Sequence, residues 1–105
     1  MTYKVPDFTE LKHFSDDLMD NVALNLVYNY TKEHLDKSDP EPEFSVFIPW
    51  KAKILANWKY LISTTLTDGM YYEVTYDGAK ELWYFDAYKK FENRAYAATP
   101  KTEKE

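Results

Sequence analysis

The sequence of 105 residues contains no cysteine, only two glycines and no long apolar run. Without cysteine there is no disulfide, no thiolate nucleophile and no zinc–thiolate or iron–sulfur site. No apolar stretch approaches the roughly 20 residues of a membrane-spanning helix, and no signal-peptide pattern follows Met1. We therefore expect a single domain over residues 1–105 that works in the cytoplasm and has no membrane partner.

Motifs for chemistry are also missing. Neither glycine belongs to a phosphate-binding pattern, and His13 and His34 stand apart with no further metal ligand at a recognised spacing. Glu73 and Asp86 lie near aromatic residues, but the sequence supplies no second catalytic group for either. The sequence thus predicts no catalytic residue, no cofactor and no metal site, and therefore no enzyme.

The charge is unevenly distributed. The formal net charge is -5, and residues 1–43 hold ten acidic and four basic side chains, against eight acidic and nine basic in residues 44–105. An acidic N-terminal part repels phosphate backbones, so general binding of nucleic acid is disfavoured.

Aromatic residues are abundant for so short a chain. Three Trp, ten Tyr and six Phe make up 18% of it. One buried aromatic side chain covers on the order of 150–250 Å². Because a small core cannot hide nineteen of them, we expect some Tyr and Trp side chains at the surface.

The N-terminal part has helical periodicity. Apolar residues recur three and four positions apart from Leu18 to Tyr30, opposite Asp17, Asp20 and Asn25. This pattern predicts a long amphipathic helix over residues 15–37, capped by Thr9 or Ser15 and ended by the prolines that follow. Residues 1–8 are expected to form an extended arm. Whether residues 9–14 are helical stays open.

The remainder alternates like a sheet. Both glycines follow aspartate, at Asp68-Gly69 and Asp77-Gly78, and Asp-Gly between strand-like runs predicts hairpin turns. Pro49 indicates an edge position or a bulge. The predicted sheet is a four-stranded antiparallel meander within residues 44–85, with strands at 44–48, 58–66, 70–76 and 81–85.

The end of the chain predicts a second helix. Asp86 is a candidate cap, and Tyr88, Phe91 and Ala95 share a helical face over residues 86–97. Residues 99–105 are predicted to be a disordered tail. The expected fold class is α+β, with two layers and helices covering one face of the sheet.

The aromatic residues of the last two strands predict a contact surface. Strand alternation leaves aromatics on whichever face the helices do not cover, and the candidate partner-binding residues are Tyr71, Trp83 and Tyr84. The expected partner is another protein, and a second copy of the chain is an alternative. Cross-strand aromatic pairs that merely stabilise an open sheet are an equally good interpretation.

A different class of partner is indicated between Phe44 and Thr67, where there is no acidic residue. Lys51, Lys53 and Lys59 alternate there with aromatic residues such as Trp58. Lysines beside exposed aromatics are typical of proteins that bind single-stranded nucleic acid. Three lysines are few, and strand alternation scatters them among core residues, so this remains the weaker alternative.

Three motifs carry a family resemblance. They are LISTT (Leu61 to Thr65), DGMYYEVTYDG (Asp68 to Gly78) and DAYKKFEN (Asp86 to Asn93). In their order and spacing, these motifs resemble those of a family of small uncharacterised proteins from bacteriophages and prophages of Firmicutes, a domain of unknown function. The resemblance covers Trp58 to Asn93. It implies a phage protein that acts in the host cytoplasm on an unknown host or phage protein, and it implies no functional residue.

Overall fold

One helix and a four-stranded sheet make up the fold. The computed structural model describes residues 11–35 and 42–100, and the elements there are α1 (Leu18–His34), β1 (Val46–Ile54), β2 (Asn57–Thr64), β3 (Met70–Asp77) and β4 (Leu82–Lys89). The strands are antiparallel and adjacent in chain order. The predicted α+β meander is confirmed. The predicted arm at residues 1–8 and residues 101–105 of the predicted tail lie outside the described residues.

Helix α1 is shorter than predicted at its start. Its N-cap is Asp17, whose side chain accepts a hydrogen bond from the Asp20 amide at 3.0 Å. The prediction of Ser15 or Thr9 as the cap was wrong. The Ser15 hydroxyl instead accepts a hydrogen bond from the Asp17 backbone N–H, next to the observed cap. Residues 11–14 are not helical. At the other end the helix stops at His34, and residues 36 and 37 of the prediction lie outside the described residues.

The buried side of α1 is more polar than its pattern predicts. Asp20 and Asn25, which were placed opposite the apolar stripe, are both buried, whereas Leu18 is 55% exposed. Asn25 is buried because the preceding segment folds back over it. Its amide accepts from the Lys12 backbone N–H and donates to the Lys12 carbonyl, both at 2.9 Å. Residues 11–17 therefore cover a helix face that sequence periodicity alone assigns to solvent.

Strand β1 continues past Pro49, although it was predicted to end at Ile48. The register against β2 shifts between Phe47 and Trp50, which forms a bulge at Pro49. Proline has no backbone N–H to donate, and at a bulge the ladder does not need that hydrogen bond. The predicted bulge at Pro49 is confirmed. Beyond it, the pairing resumes up to the pair Ile54–Asn57.

The two Asp-Gly turns need glycine for different reasons. Gly69 has φ +74°, the left-handed conformation that glycine adopts without strain. In the second turn the left-handed residue is Glu81, at φ 55°. A Cβ on Gly78 would overlap the Ala56 carbonyl oxygen, so glycine is needed there for close approach to the β1–β2 turn.

The predicted C-terminal helix over residues 86–97 was wrong. Strand β4 extends to Lys89, and its second half, from Asp86, pairs with β3 from Glu73 back to Met70. A helix starting at Asp86 would leave half of β3 without hydrogen bonds to β4. These strand-to-strand hydrogen bonds decide the conformation, since the helical periodicity of residues 86–97 is weak. Residues 90–100 have no regular secondary structure, and Phe91 is 98% exposed.

The core lies between α1 and one face of the sheet. Buried helix residues pack on alternate residues of the two central strands, and the cluster consists of Ala23, Leu24, Val27, Tyr60, Ile62, Tyr72 and Val74. We call the sheet side that packs on α1 the helix face and the other side the open face. No helix among the described residues has the length and apolar character to span a membrane.

Candidate protein-binding face

The open face carries large side chains from all four strands. Register and alternation place six exposed apolar side chains on it, namely Phe47, Trp50, Tyr71, Leu82, Tyr84 and Tyr88. Trp50 keeps 51% of its surface exposed, Tyr71 41% and Tyr84 42%. None of the described elements covers this face. An uncovered apolar surface of this kind usually marks an interaction site.

Two of its tyrosines are ordered against each other. Tyr71 and Tyr88 are directly opposite in the β3–β4 register, and their rings stack at 5.2 Å between centroids with 18° between planes. Tyr84 lies on the same face of β4, opposite Thr75. A paired, rigid aromatic platform loses little conformational freedom when a partner docks on it.

The charges of the open face are unbalanced. Glu73 and Asp86 are directly opposite across β3 and β4, where like charges destabilise. Lys59 reaches Glu73 at 3.3 Å, but Asp86 has no ion-pair partner among the described residues. The Asp86 charge raises the pKa of Tyr88. A surplus carboxylate therefore stands between the exposed tyrosines.

The candidate partner-binding residues do not share one surface. Tyr71 and Tyr84 lie on the open face, as the hypothesis requires. Trp83 lies on the helix face, because in β4 it is one residue from Tyr84 and points to the other side. Its ring packs 4.9 Å from Tyr76 and 6.4 Å from Tyr60, partly buried against the core.

The alternative nucleic-acid residues are divided in the same way. Lys51 and Lys53 lie over the Trp58 ring on the helix face, at 5.8 and 5.5 Å from its centroid. Lys51 also forms an ion pair of 2.7 Å with Asp20. Lys59 is on the open face and pairs with Glu73. Two of the three lysines are therefore already ion-paired, and because the three are divided between the two faces they do not form one binding surface.

Sequence reasoning missed the buried polar group at the start of α1. Asp20 accepts hydrogen bonds from the Tyr60 hydroxyl at 2.8 Å and from Lys51 at 2.7 Å. The available signal was its spacing, since Asp20 stands three, four and seven residues before Ala23, Leu24 and Val27 and therefore shares their side of the helix. The two histidines are apart, as predicted. His13 pairs with Asp16 at 3.1 Å, and His34 is exposed and stacks on Tyr30.

In residues 11–35 and 42–100, no group of three or more His, Asp or Glu side chains is placed to hold a metal ion.

The fold and its open face define a class of protein, an α+β domain with one helix on a four-stranded meander and an aromatic open face.

Within that class, the chain belongs to DUF6275, a family of unknown function, whose model matches residues 20–98. The matched span contains nearly all of α1 and the whole sheet, and therefore both faces described above. No curated protein and no solved structure matches the chain.

Proposed function

We propose that the chain is a non-enzymatic interaction module that binds another protein through its open face. One observation carries the proposal: Trp50, Tyr71 and Tyr84 keep 41–51% of their surface exposed on the sheet face that none of the described elements covers. Tyr and Trp are the residue types that contribute most to protein interfaces, since they bury large areas at low entropic cost.

The chemistry of the partner follows from the charges. Asp86 is the surplus carboxylate among the open-face tyrosines, while Glu73 is already paired with Lys59. A partner surface complementary to the open face is apolar and places one Lys or Arg beside Asp86. An acidic partner would add a third carboxylate and is disfavoured.

The biological setting belongs to the same proposal. The motifs from Leu61 to Asn93 resemble proteins of Firmicutes phages and prophages, which supports a phage or prophage accessory protein made in the host cytoplasm. Its partner is then a host or phage protein. Single-stranded nucleic acid is the less favoured partner because Lys51 and Lys59 lie on opposite faces and are both ion-paired.

A second copy of the chain is the competing partner, and the sheet edges favour it. Edge strand β1 is blunted by Pro49, a bulge and two lysines, which natural proteins use against edge-to-edge pairing. Edge strand β4 has a continuous register and no such device between Leu82 and Asp86. Sedimentation of the purified chain separates the two cases, because a stable dimer has twice the monomer mass.

The experiment is an affinity capture from lysate of the bacterium that carries the gene, with nuclease treatment. The wild-type chain is compared with the Tyr71→Ser/Tyr84→Ser variant, with Asp86→Lys, and with Asn29→Ser as the matched control on the exposed side of α1. The proposal expects one stoichiometric protein that both open-face variants lose and the control retains. Capture that survives both variants, or that disappears with nuclease, overturns it.

A further inference from the structure

A cleft opens on the other side of the molecule, where the end of α1 meets the β2–β3 turn and the start of β3. It has a volume of about 210 Å³. The residues that matter for its chemistry are Tyr30, Thr31, His34, Asp68 and Tyr72, all of which line it. It is separate from the open face, since Thr31 and Tyr72 are buried on the helix face.

Two side chains of this cleft have an acceptor atom with no partner among the described residues. His34 Nδ1 lies 2.8 Å from the Tyr30 carbonyl oxygen, which fixes that nitrogen as the donor. In the neutral ring, Nε2 is therefore an acceptor. One Asp68 oxygen accepts from the Met70 amide at 3.0 Å, and the other has no partner among the described residues.

A buried hydroxyl in the cleft has no hydrogen-bond partner among the described residues. Thr31 is 4% exposed, and its Oγ1 forms no hydrogen bond with any described residue. The Tyr72 phenol belongs to the same cleft but forms no hydrogen bond with it. Buried polar atoms are rarely left without a partner, so an unsatisfied hydroxyl beside a cleft indicates a ligand or a water.

The electrostatic field at the cleft favours a positively charged ligand. Helix α1 ends at His34, so the negative end of its dipole is directed towards the cleft. Tyr30 packs edge-on to Tyr72 at 5.7 Å and stacks on His34 at 4.1 Å, which gives the cleft an aromatic wall. Because His34 covers one face of Tyr30 and Tyr72 is 2% exposed, these rings shape the wall of the cleft and do not provide a stacking face.

Size restricts the ligand further. At about 30 Å³ per liquid water molecule, 210 Å³ corresponds to roughly seven waters. Drug-sized ligands occupy pockets of about 300–1,000 Å³. A cleft of this size accommodates a small head group on a short chain.

We propose that this cleft binds a guanidinium group on a short alkyl chain. The planar cation lies beside the half-buried Tyr30 and directs its several N–H donors to Asp68, to His34 Nε2 and towards the Thr31 hydroxyl. Two sources have this chemistry, a free small guanidine and an arginine side chain of a protein.

The test is a titration of the full-length chain, followed by amide NMR, with ethylguanidinium and with its neutral analogue ethylurea. The proposal expects saturable shifts at Thr31, His34 and Met70 with the cation and none with the urea. Asp68→Asn should weaken binding about tenfold, the usual loss for one charge-assisted hydrogen bond. Asn keeps the oxygen that accepts from Met70, so the turn is retained.

Asp77→Asn is the matched control, because Asp77 holds the other Asp-Gly turn through the Ala79 amide and is remote from the cleft. It should leave the affinity unchanged. Thr31→Val provides a second variant with the same shape and no hydroxyl, and it should also weaken binding. Equal shifts with ethylurea, equal losses in both aspartate variants, or no shifts at the cleft amides overturn the proposal.

A peptide with a central arginine distinguishes the two sources. Tighter binding of the peptide than of ethylguanidinium assigns the cleft to a protein arginine. Binding of ethylguanidinium alone assigns it to a free small guanidine. Either result supports the shared chemistry.

Discussion

The Tyr60 hydroxyl donates a hydrogen bond of 2.8 Å to the Asp20 carboxylate, which joins the start of α1 to the centre of the sheet across 40 residues of sequence. Tyr60 is fully buried and Asp20 nearly so. Lys51 provides the second donor to the same carboxylate. A carboxylate in this position is tolerated only because both donors are present, so the pair fixes where the helix sits on the sheet.

Removing the Tyr60 hydroxyl should destabilise the fold. Tyr60→Phe keeps the ring in the core but leaves one Asp20 oxygen without its donor, at a cost of about 1–3 kcal/mol in the free energy of unfolding. Tyr84→Phe is the matched control, and it should change stability by less than about 0.5 kcal/mol because that hydroxyl is on the exposed face. Urea denaturation measures both. Equal stability of the two variants would contradict the role given to the pair.

Stability should fall at alkaline pH. Burial, and then the hydrogen bond to Asp20, raises the pKa of Tyr60 well above its ordinary value of 10.0. Burial also raises the pKa of Tyr72. A raised folded-state pKa means that the unfolded chain ionises first, so the stabilisation is complete below about pH 10 and is lost as the pH rises further. Unfolding free energies of the wild type and Tyr60→Phe between about pH 8 and 11 test this. The wild type should have the steeper decline, and parallel curves would refute the assignment.

Asn25 should be needed to hold residues 11–17 on the helix. Asn25→Leu removes both hydrogen bonds to Lys12 and a third to the Asn21 carbonyl. We expect the Lys12 amide to lose its protection from hydrogen exchange and the fold to lose about 1–3 kcal/mol. Asn29→Leu, on the exposed side of the same helix, serves as the control. Retained protection of Lys12 in the Asn25 variant would show that other contacts hold the segment.

Gly78 should tolerate no side chain. In Gly78→Ala the new Cβ meets backbone atoms of Ala56, which cannot move without shifting the β1–β2 turn, so we expect a loss of about 1–3 kcal/mol. Gly69→Asn is the control, because asparagine tolerates the left-handed conformation and the nearest atom to a Cβ there is 3.8 Å away. Thermal unfolding compares the two. A smaller shift for Gly78→Ala than for Gly69→Asn would be inconsistent with the close approach.

The elements that sequence predicted well are those with strong local signals. Alternation and the Asp-Gly turns predicted the ends of strands β2 and β3 to within two residues, and Pro49 indicated the bulge. The C-terminal helix failed because the local pattern at Asp86 is compatible with either element, and only pairing with β3 decides between them. Long-range contacts also explain why Asp20 and Asn25 are buried, because helical periodicity does not identify their hydrogen-bond partners, Tyr60 and Lys12.

The candidate face was predictable only in part. Aromatic excess and strand alternation indicated an uncovered aromatic surface, and they placed Tyr71 and Tyr84 among its residues. They did not decide which residues of β4 join β3 on that side, which is why Trp83 was included. The surplus charge at Asp86 depends on the β3–β4 register and on Lys59 reaching Glu73.

Site-specific photocrosslinking tests the central claim, that the open face binds a partner protein, most directly. Benzoylphenylalanine replaces Tyr84 in one version of the chain and Asn29 in the other, and both are irradiated in the host cell. The account predicts an adduct with one host or phage protein from position 84, none from position 29, and loss of the adduct when Asp86→Lys is added. An adduct with a second copy of the chain, or identical adducts from both positions, would contradict it.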